Sequence, residues 1–130
     1  MAKVLVADDL PGIRQMLVYA LSDSHEVSQA ANGQEAVSLA EQSGPDIIIL
    51  DLDMPVMDGI EAAGRIRSNP SLAHTRLIAV TAHRHHERLH RMSELCDALI
   101  EKPFRIADIR EIVERLSSPQ FSAQVPTQSH

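Results

Sequence analysis

Aromatic side chains are almost missing from this chain: Tyr19, Phe104 and Phe121 are all it has in 130 residues, and there is no tryptophan. That is too little to build the stacking platform on which single-stranded bases are read. Cysteine is equally scarce. The lone Cys96 excludes an internal disulfide and a cysteine-based zinc site, and reads as a small half-buried thiol. Positive charge is in deficit, with 12 Lys and Arg against 18 Asp and Glu for a formal charge of -6. The field of such a molecule repels phosphate backbones, so nucleic acid is not expected as a direct partner. No run of about eighteen apolar residues is present to span a bilayer, so membrane insertion is not expected either. The opening Met-Ala-Lys-Val-Leu-Val lacks the charged, apolar and small-residue regions of a secretory signal, which points to the cytoplasm. What remains is ordinary globular composition, 44% hydrophobic and 23% charged. The length suits one domain, in which folding buries roughly two-thirds of the unfolded surface.

Four short apolar runs recur: Val4 to Ala7, Ile47 to Leu50, Leu77 to Val80 and Ala98 to Ile100. Each has too few polar positions for a half-exposed strand and predicts a strand buried on both faces. A fifth strand fits Glu26 to Ala30, whose mixed polarity suits a sheet edge. Between the strands the apolar spacing turns helical. Leu10, Ile13, Leu17 and Leu21 follow this spacing around a Pro11-Gly12 start, and Ala36, Val37 and Ala40 follow the turn Asn32-Gly33. Ile60, Ala63 and Ile66 come after Gly59, and Ile106, Ile109, Ile112, Val113 and Leu116 mark a last amphipathic helix. This alternation predicts an α/β fold, a mostly parallel five-stranded sheet with right-handed crossovers and helices on both faces. Residues 117–130 contain no Asp, Glu, Lys or Arg, show no period, and are expected to form a mobile tail after a domain of residues 1–116.

In open parallel sheets the ligand crevice lies at the carboxyl ends of the strands. Asp8 and Asp9 follow the first run, Asp51 the second of the four, Thr81 the third, and Lys102 comes just after the last. One crevice would collect them all. Any one of these residues alone reads as a solvated loop position; five together do not. Three carboxylates held close must raise a pKa, recruit a cation, or both. Magnesium suits such a place, because it prefers oxygen ligands, keeps several waters, and takes a carboxylate or two together with phosphate oxygens.

These residues resemble the receiver domains of two-component response regulators, in particular single-domain receivers of the chemotaxis-regulator type. The resemblance rests on Asp8-Asp9, on Asp51-Leu52-Asp53-Met54-Pro55-Val56-Met57-Asp58-Gly59, on Val80-Thr81-Ala82 and on Lys102-Pro103-Phe104, and covers residues 3–116 in order. It implies the flavodoxin-like, doubly wound fold with strand order 2-1-3-4-5 and five helices. It also implies that Asp51 is the phosphoacceptor, that Asp8, Asp9, Asp51 and the backbone carbonyl of Asp53 hold Mg2+, that Thr81 hydrogen-bonds the phosphoryl group, and that Lys102 pairs with its charge. A cis peptide at Lys102-Pro103 is a further implication. The implied partners are a histidine kinase or histidine phosphotransfer protein upstream and a protein target downstream. The implied role is a signalling switch that catalyses only its own phosphorylation and dephosphorylation. The chain reads as a stand-alone receiver, with the receiver portion of a longer regulator as the alternative.

Two positions depart from the family's pattern. Leu99 stands where an aromatic partner of the switch threonine is common, and Leu95 where glycine is common. Asp53 and His83, two residues past the acceptor and the switch threonine, occupy positions that the family links to phosphate lifetime. The stretch from His83 to Arg91 holds three Arg and four His against one Glu. Arg84, Arg88 and Arg91 on this fourth helix are therefore expected to belong, with Leu99, to an output face for an acidic protein surface. The same stretch contains His86-Glu87-Arg88-Leu89-His90, which satisfies the H-E-x-x-H spacing of zinc hydrolases. That alternative needs a third ligand, such as Glu111 or Glu114, and a substrate cleft. Its cation-rich surroundings disfavour a dication.

Overall fold

The computed structural model describes residues 1–82 and 86–117, and leaves the side chains of His86 and Arg88 aside. Strand and helix alternate through β1 (Lys3–Ala7), α1 (Pro11–Leu21), β2 (Glu26–Ala30), α2 (Gly33–Ser43), β3 (Ile47–Asp51) and α3 (Gly59–Arg67). After a short 3-10 turn at Pro70–Leu72 come β4 (Arg76–Thr81), α4 (His86–Leu95), β5 (Ala98–Glu101) and α5 (Ile106–Ser117). All strands pair in parallel, in the order β2-β1-β3-β4-β5. This is the five-stranded, five-helix arrangement expected from the sequence. No helix among the described residues is long and apolar enough to cross a membrane.

Side chains alternate across each strand, so every apolar run feeds two cores. Leu5, Ala7, Ile48, Leu50, Leu77 and Ala79 point to one face, where α2 and α3 bring Ala36, Val37, Ala40, Ala62, Ala63 and Ile66, and α4 brings Met92. Val4, Val6, Ile47, Ile49, Ile78 and Val80 point to the other, under α1 and α5 with Leu17, Leu21, Ile109 and Val113. Every residue of β3, the central strand, is buried, while β2 lies at an edge and leaves most of its residues exposed. That contrast explains why β2 reads as polar and β3 as a continuous apolar run.

Local chemistry fixes the helix starts. Asn32 accepts from the Glu35 amide at 2.8 Å and Asp58 from the Glu61 amide at 2.9 Å, capping α2 and α3. Gly44 ends α2 in the left-handed region at φ 57°. Two boundaries differ from the expectation. Leu10 is not part of the buried stripe of α1; it is the extended residue before Pro11 and is 48% exposed, because a residue preceding proline is pushed out of the helical region. Ser117 belongs to α5 and not to the tail, its hydroxyl donating to the Glu114 carbonyl at 3.1 Å. The expected tail from residue 118 onward, together with His83, Arg84 and His85, lies outside the described residues.

Candidate functional site

The carboxyl ends of β1, β3, β4 and β5 open onto one crevice, as the register dictates. Ala7 pairs with Leu50, Asp51 with Val80, and Thr81 with Glu101, so the residues just beyond these pairs converge. Asp51 ends β3, Thr81 ends β4, Asp8 and Asp9 lie in the turn between β1 and α1, and Lys102 follows β5. Asp8, Asp51 and Thr81 are buried. One carboxylate oxygen from each of Asp8, Asp9 and Asp51 lies within 4.8 Å of the other two. Lys102 Nζ reaches in from the opposite side, 3.4 Å from Asp51 Oδ2 and 3.7 Å from Asp8 Oδ2.

Backbone contacts hold the Asp51 end of the site. The Asp53 amide donates to Asp51 Oδ1 at 3.2 Å, which places Asp53 beside the cluster. The Leu52 amide donates to the Val80 carbonyl at 3.0 Å and the Gly59 amide to the Leu52 carbonyl at 2.9 Å, closing the loop from β3 to α3. Gly59 is packed so closely there that a Cβ would lie 2.8 Å from Leu52 Cα and press on the Asp51 carbonyl. Gly33, at the start of α2, meets the same loop, since a Cβ would lie 2.8 Å from the Met57 carbonyl carbon. Across the crevice the Lys102 amide donates to the Thr81 carbonyl at 2.8 Å, and the Lys102-Pro103 peptide is cis, in agreement with the family pattern.

Burial pushes the Asp51 carboxyl up from 3.8 to about 6. The Asp53 N–H pulls it back down, the Asp8 carboxylate raises it further, and the Lys102 ammonium lowers it. A buried carboxylate among two others therefore ionises only at a penalty, which a bound cation removes. The donor set is all oxygen, small and anionic, which fits magnesium.

The remaining expected positions fall as follows. Leu99 is 37% exposed on β5, next to Ala79 of β4, so an aliphatic surface stands where the family commonly has a ring. At Leu95 the carbonyl accepts from Arg67 Nε at 2.8 Å, and Arg67 also holds the Thr75 carbonyl and Asp97, so a side chain steadies the end of α4. Arg91 is exposed on α4; the Arg84 residue and the Arg88 side chain lie outside the described set. Of the H-E-x-x-H alternative, the His86 side chain lies outside the described residues, and the rest join no group of three potential ligands among those described. His90 is exposed and pairs with Glu94 at 3.5 Å, while Glu114 is engaged with His25 at 3.3 Å where β1 and β2 begin. Asp8, Asp9 and Asp51 form the one group of three potential ligands found there.

Sequence reasoning missed Arg14, whose Nη1 donates to the Asp8 carbonyl at 2.8 Å. The available signal was its standing as the one charged residue of α1. It also missed Val56, which lies at φ 70° with the Met57 amide donating to the Pro55 carbonyl at 2.7 Å. No residue pattern announces a valine in that conformation.

The chain belongs to the response regulator receiver domain family, whose model matches residues 4–114. It is a two-component receiver, a class that accepts a phosphoryl group on an aspartate and typically signals rather than turning over a substrate. It is 34% identical over 116 residues to sporulation initiation phosphotransferase F of Bacillus subtilis, covering 87% of this chain and 91% of that protein. It is 36% identical over 115 residues to the transcriptional regulatory protein PdtaR of Mycobacterium tuberculosis, covering 86% of this chain but 55% of that longer protein. Among solved structures, the chemotaxis response regulator CheY4 of Vibrio cholerae matches with a TM-score of 0.82 at 33% identity, over 89% of this chain and 98% of that one. The receiver domain of a Pseudomonas aeruginosa sensor histidine kinase, with a magnesium ion coordinated in its active-site cleft, matches with a TM-score of 0.82 at 28% identity, over 90% and 98% of the two chains.

Proposed function

We propose that residues 1–116 form a phosphorylation-controlled switch in which Asp51 is the phosphoacceptor, Thr81 and Lys102 read the phosphoryl group, and Asp8, Asp9, Asp51 and the Asp53 carbonyl hold Mg2+. The observation that carries this reading is the buried Asp51 carboxylate, with two further carboxylates within 4.8 Å and an ammonium at 3.4 Å. Attack by an Asp51 oxygen on phosphorus forms the acyl phosphate as the bond from phosphorus to the donor's imidazole nitrogen breaks and the imidazole departs with its electron pair. The Lys102 ammonium offsets the negative charge that the two reacting anions bring together, and the fixed carboxylate supplies positioning. Bound Mg2+ would contribute charge neutralisation at the phosphoryl oxygens and relieve the repulsion among the three carboxylates. The Thr81 hydroxyl and Lys102 gain a new acceptor only once the phosphoryl group is in place, so they couple its presence to the position of the β4 and β5 ends.

The donor on this reading is a phosphohistidine of a kinase or phosphotransfer protein, and the output is binding to a downstream protein through the α4 side of the molecule, with Arg84, Arg88, Arg91 and Leu99. The family's chemistry and the cationic composition of His83 to Arg91 support this. The test is incubation with acetyl phosphate, with and without Mg2+. One phosphoryl group should appear on the wild type and none on Asp51→Asn or after chelation. Equal incorporation by the Asn variant, or indifference to chelator, defeats the assignment.

A further inference from the structure

The turn carrying Asp8 and Asp9 is irregular chain between β1 and α1, yet it holds two of three mutually repelling carboxylates. The start of α1 does little to steady it, because the N-cap residue is Leu10 and no side chain caps that end. Asp8 is nevertheless tied through all its backbone polar atoms and one carboxylate oxygen. Its amide donates to the Ala30 carbonyl of β2 at 3.1 Å, and its Oδ1 accepts from the Leu10 amide at 2.9 Å. Its carbonyl accepts from Arg14 Nη1 at 2.8 Å. The same guanidinium donates through Nε to Gln29 Oε1 of β2 at 2.9 Å. One guanidinium thus bridges α1, the Asp8 turn and the edge strand.

We infer that Arg14, braced by Gln29, is a positioning residue for the Mg2+ site, holding the Asp8 carbonyl so that the Asp8 and Asp9 carboxylates stay aimed into the crevice before any cation arrives. The inference rests on the reading of Asp8, Asp9 and Asp51 as metal ligands. Both bonds end on uncharged oxygens, so through them the guanidinium forms no ion pair with the ligand carboxylates, and Arg14→Lys, which keeps the charge, separates geometry from charge. A guanidinium presents several donors in a fixed planar fork and serves two acceptors on different elements at once; the ammonium of lysine is a single point on a flexible stem. Loss of partners that orient metal ligands typically costs 10- to 100-fold in metal affinity.

The test uses the full chain with Arg14→Gln, Arg14→Lys and Gln29→Leu. In metal-free protein the Leu10 amide, which reports closure of the turn, should exchange faster in both Arg14 variants. Their Kd for Mg2+ should rise roughly 10-fold, the rise for Gln29→Leu being smaller, and uptake from acetyl phosphate should return to the wild-type rate at saturating Mg2+. Wild-type affinity in both Arg14 variants, full rescue by Lys, or weaker binding with unchanged Leu10 exchange would each overturn the inference while leaving the acceptor site standing. If the wild type itself fails to bind Mg2+, the underlying site reading falls first. Should the Arg14 variants not fold, Gln29→Leu, on the exposed edge strand, decides by the same two readouts.

Discussion

At the residue scale the most consequential number is the pKa of Asp51, pushed from 3.8 to about 6 mainly by burial. A group whose folded value is raised stabilises the fold fully below its unfolded pKa, and that stabilisation is lost as pH rises through the folded value. Between pH 3.8 and about 6 the metal-free protein therefore loses stability through Asp51. At pH 8 without divalent metal, Asp51→Asn should be the more stable protein, by at most about 3 kcal/mol, with the gap closing as pH falls to 4. Urea unfolding at three pH values measures this, and Mg2+ at pH 8 should stabilise the wild type more than the variant. Equal stabilities throughout would contradict the burial argument. Val56 gives a second residue-scale prediction. It is 82% exposed and sits at the centre of a tight turn with φ 70°, a region costly for a β-branched side chain. Val56→Gly should stabilise by about 1 kcal/mol, the relief of left-handed strain less the entropy of glycine, seen as a higher urea midpoint at unchanged slope. Asp8, Asp9, Asp51, Thr81 and Lys102 were legible in the sequence because each follows a buried run at the end that forms the crevice. Arg14 was not, because its partners are a backbone carbonyl and a glutamine from another strand, which only the folded register brings together.

At the element scale, the approach of α3 to the end of β3 sets the shape of the loop that follows Asp51. Gly59 permits it, and Gly59→Ala places a methyl group against the backbone of Asp51 and Leu52, where neither neighbour is a flexible side chain. Overpacking of this kind costs about 1–3 kcal/mol, and here it presses on the backbone that carries the Asp51 carboxylate. The variant should melt at a lower temperature and take up phosphate more slowly even at saturating Mg2+. A stability loss with wild-type uptake would show that the loop tolerates the shift. The strands were legible because doubly buried strands write themselves as apolar runs, and β2 because an edge does not. Leu10 misled because helical spacing continues through it, while Pro11 excludes it from the helix. The H-E-x-x-H pattern on α4 carries little weight for a compositional reason: a segment rich in His and Arg easily meets a five-residue spacing.

At the scale of the whole molecule, fold and site are one argument. A parallel sheet in the order β2-β1-β3-β4-β5 places β1 and β3 side by side, so the turn after β1 and the last residue of β3 together supply all three carboxylates. β4 and β5 complete the rim with Thr81 and Lys102, so the chemistry is assembled by the register of four strands and not by any local motif. The stretch from His83 to Arg91 carries three of the chain's twelve Lys and Arg residues, with four His against one Glu, while Lys102 alone among the described cations is paired with Asp8 and Asp51. The central claim is that the phosphoryl group lands on Asp51. It is tested most directly by phosphorylating the protein with acetyl phosphate and Mg2+, reducing the acyl phosphate with borohydride, and mapping the resulting homoserine by peptide mass spectrometry. The account predicts homoserine at position 51 alone, and none when Mg2+ is chelated. Homoserine at position 8, 9 or 53, or a phosphoryl group that resists borohydride, would contradict it.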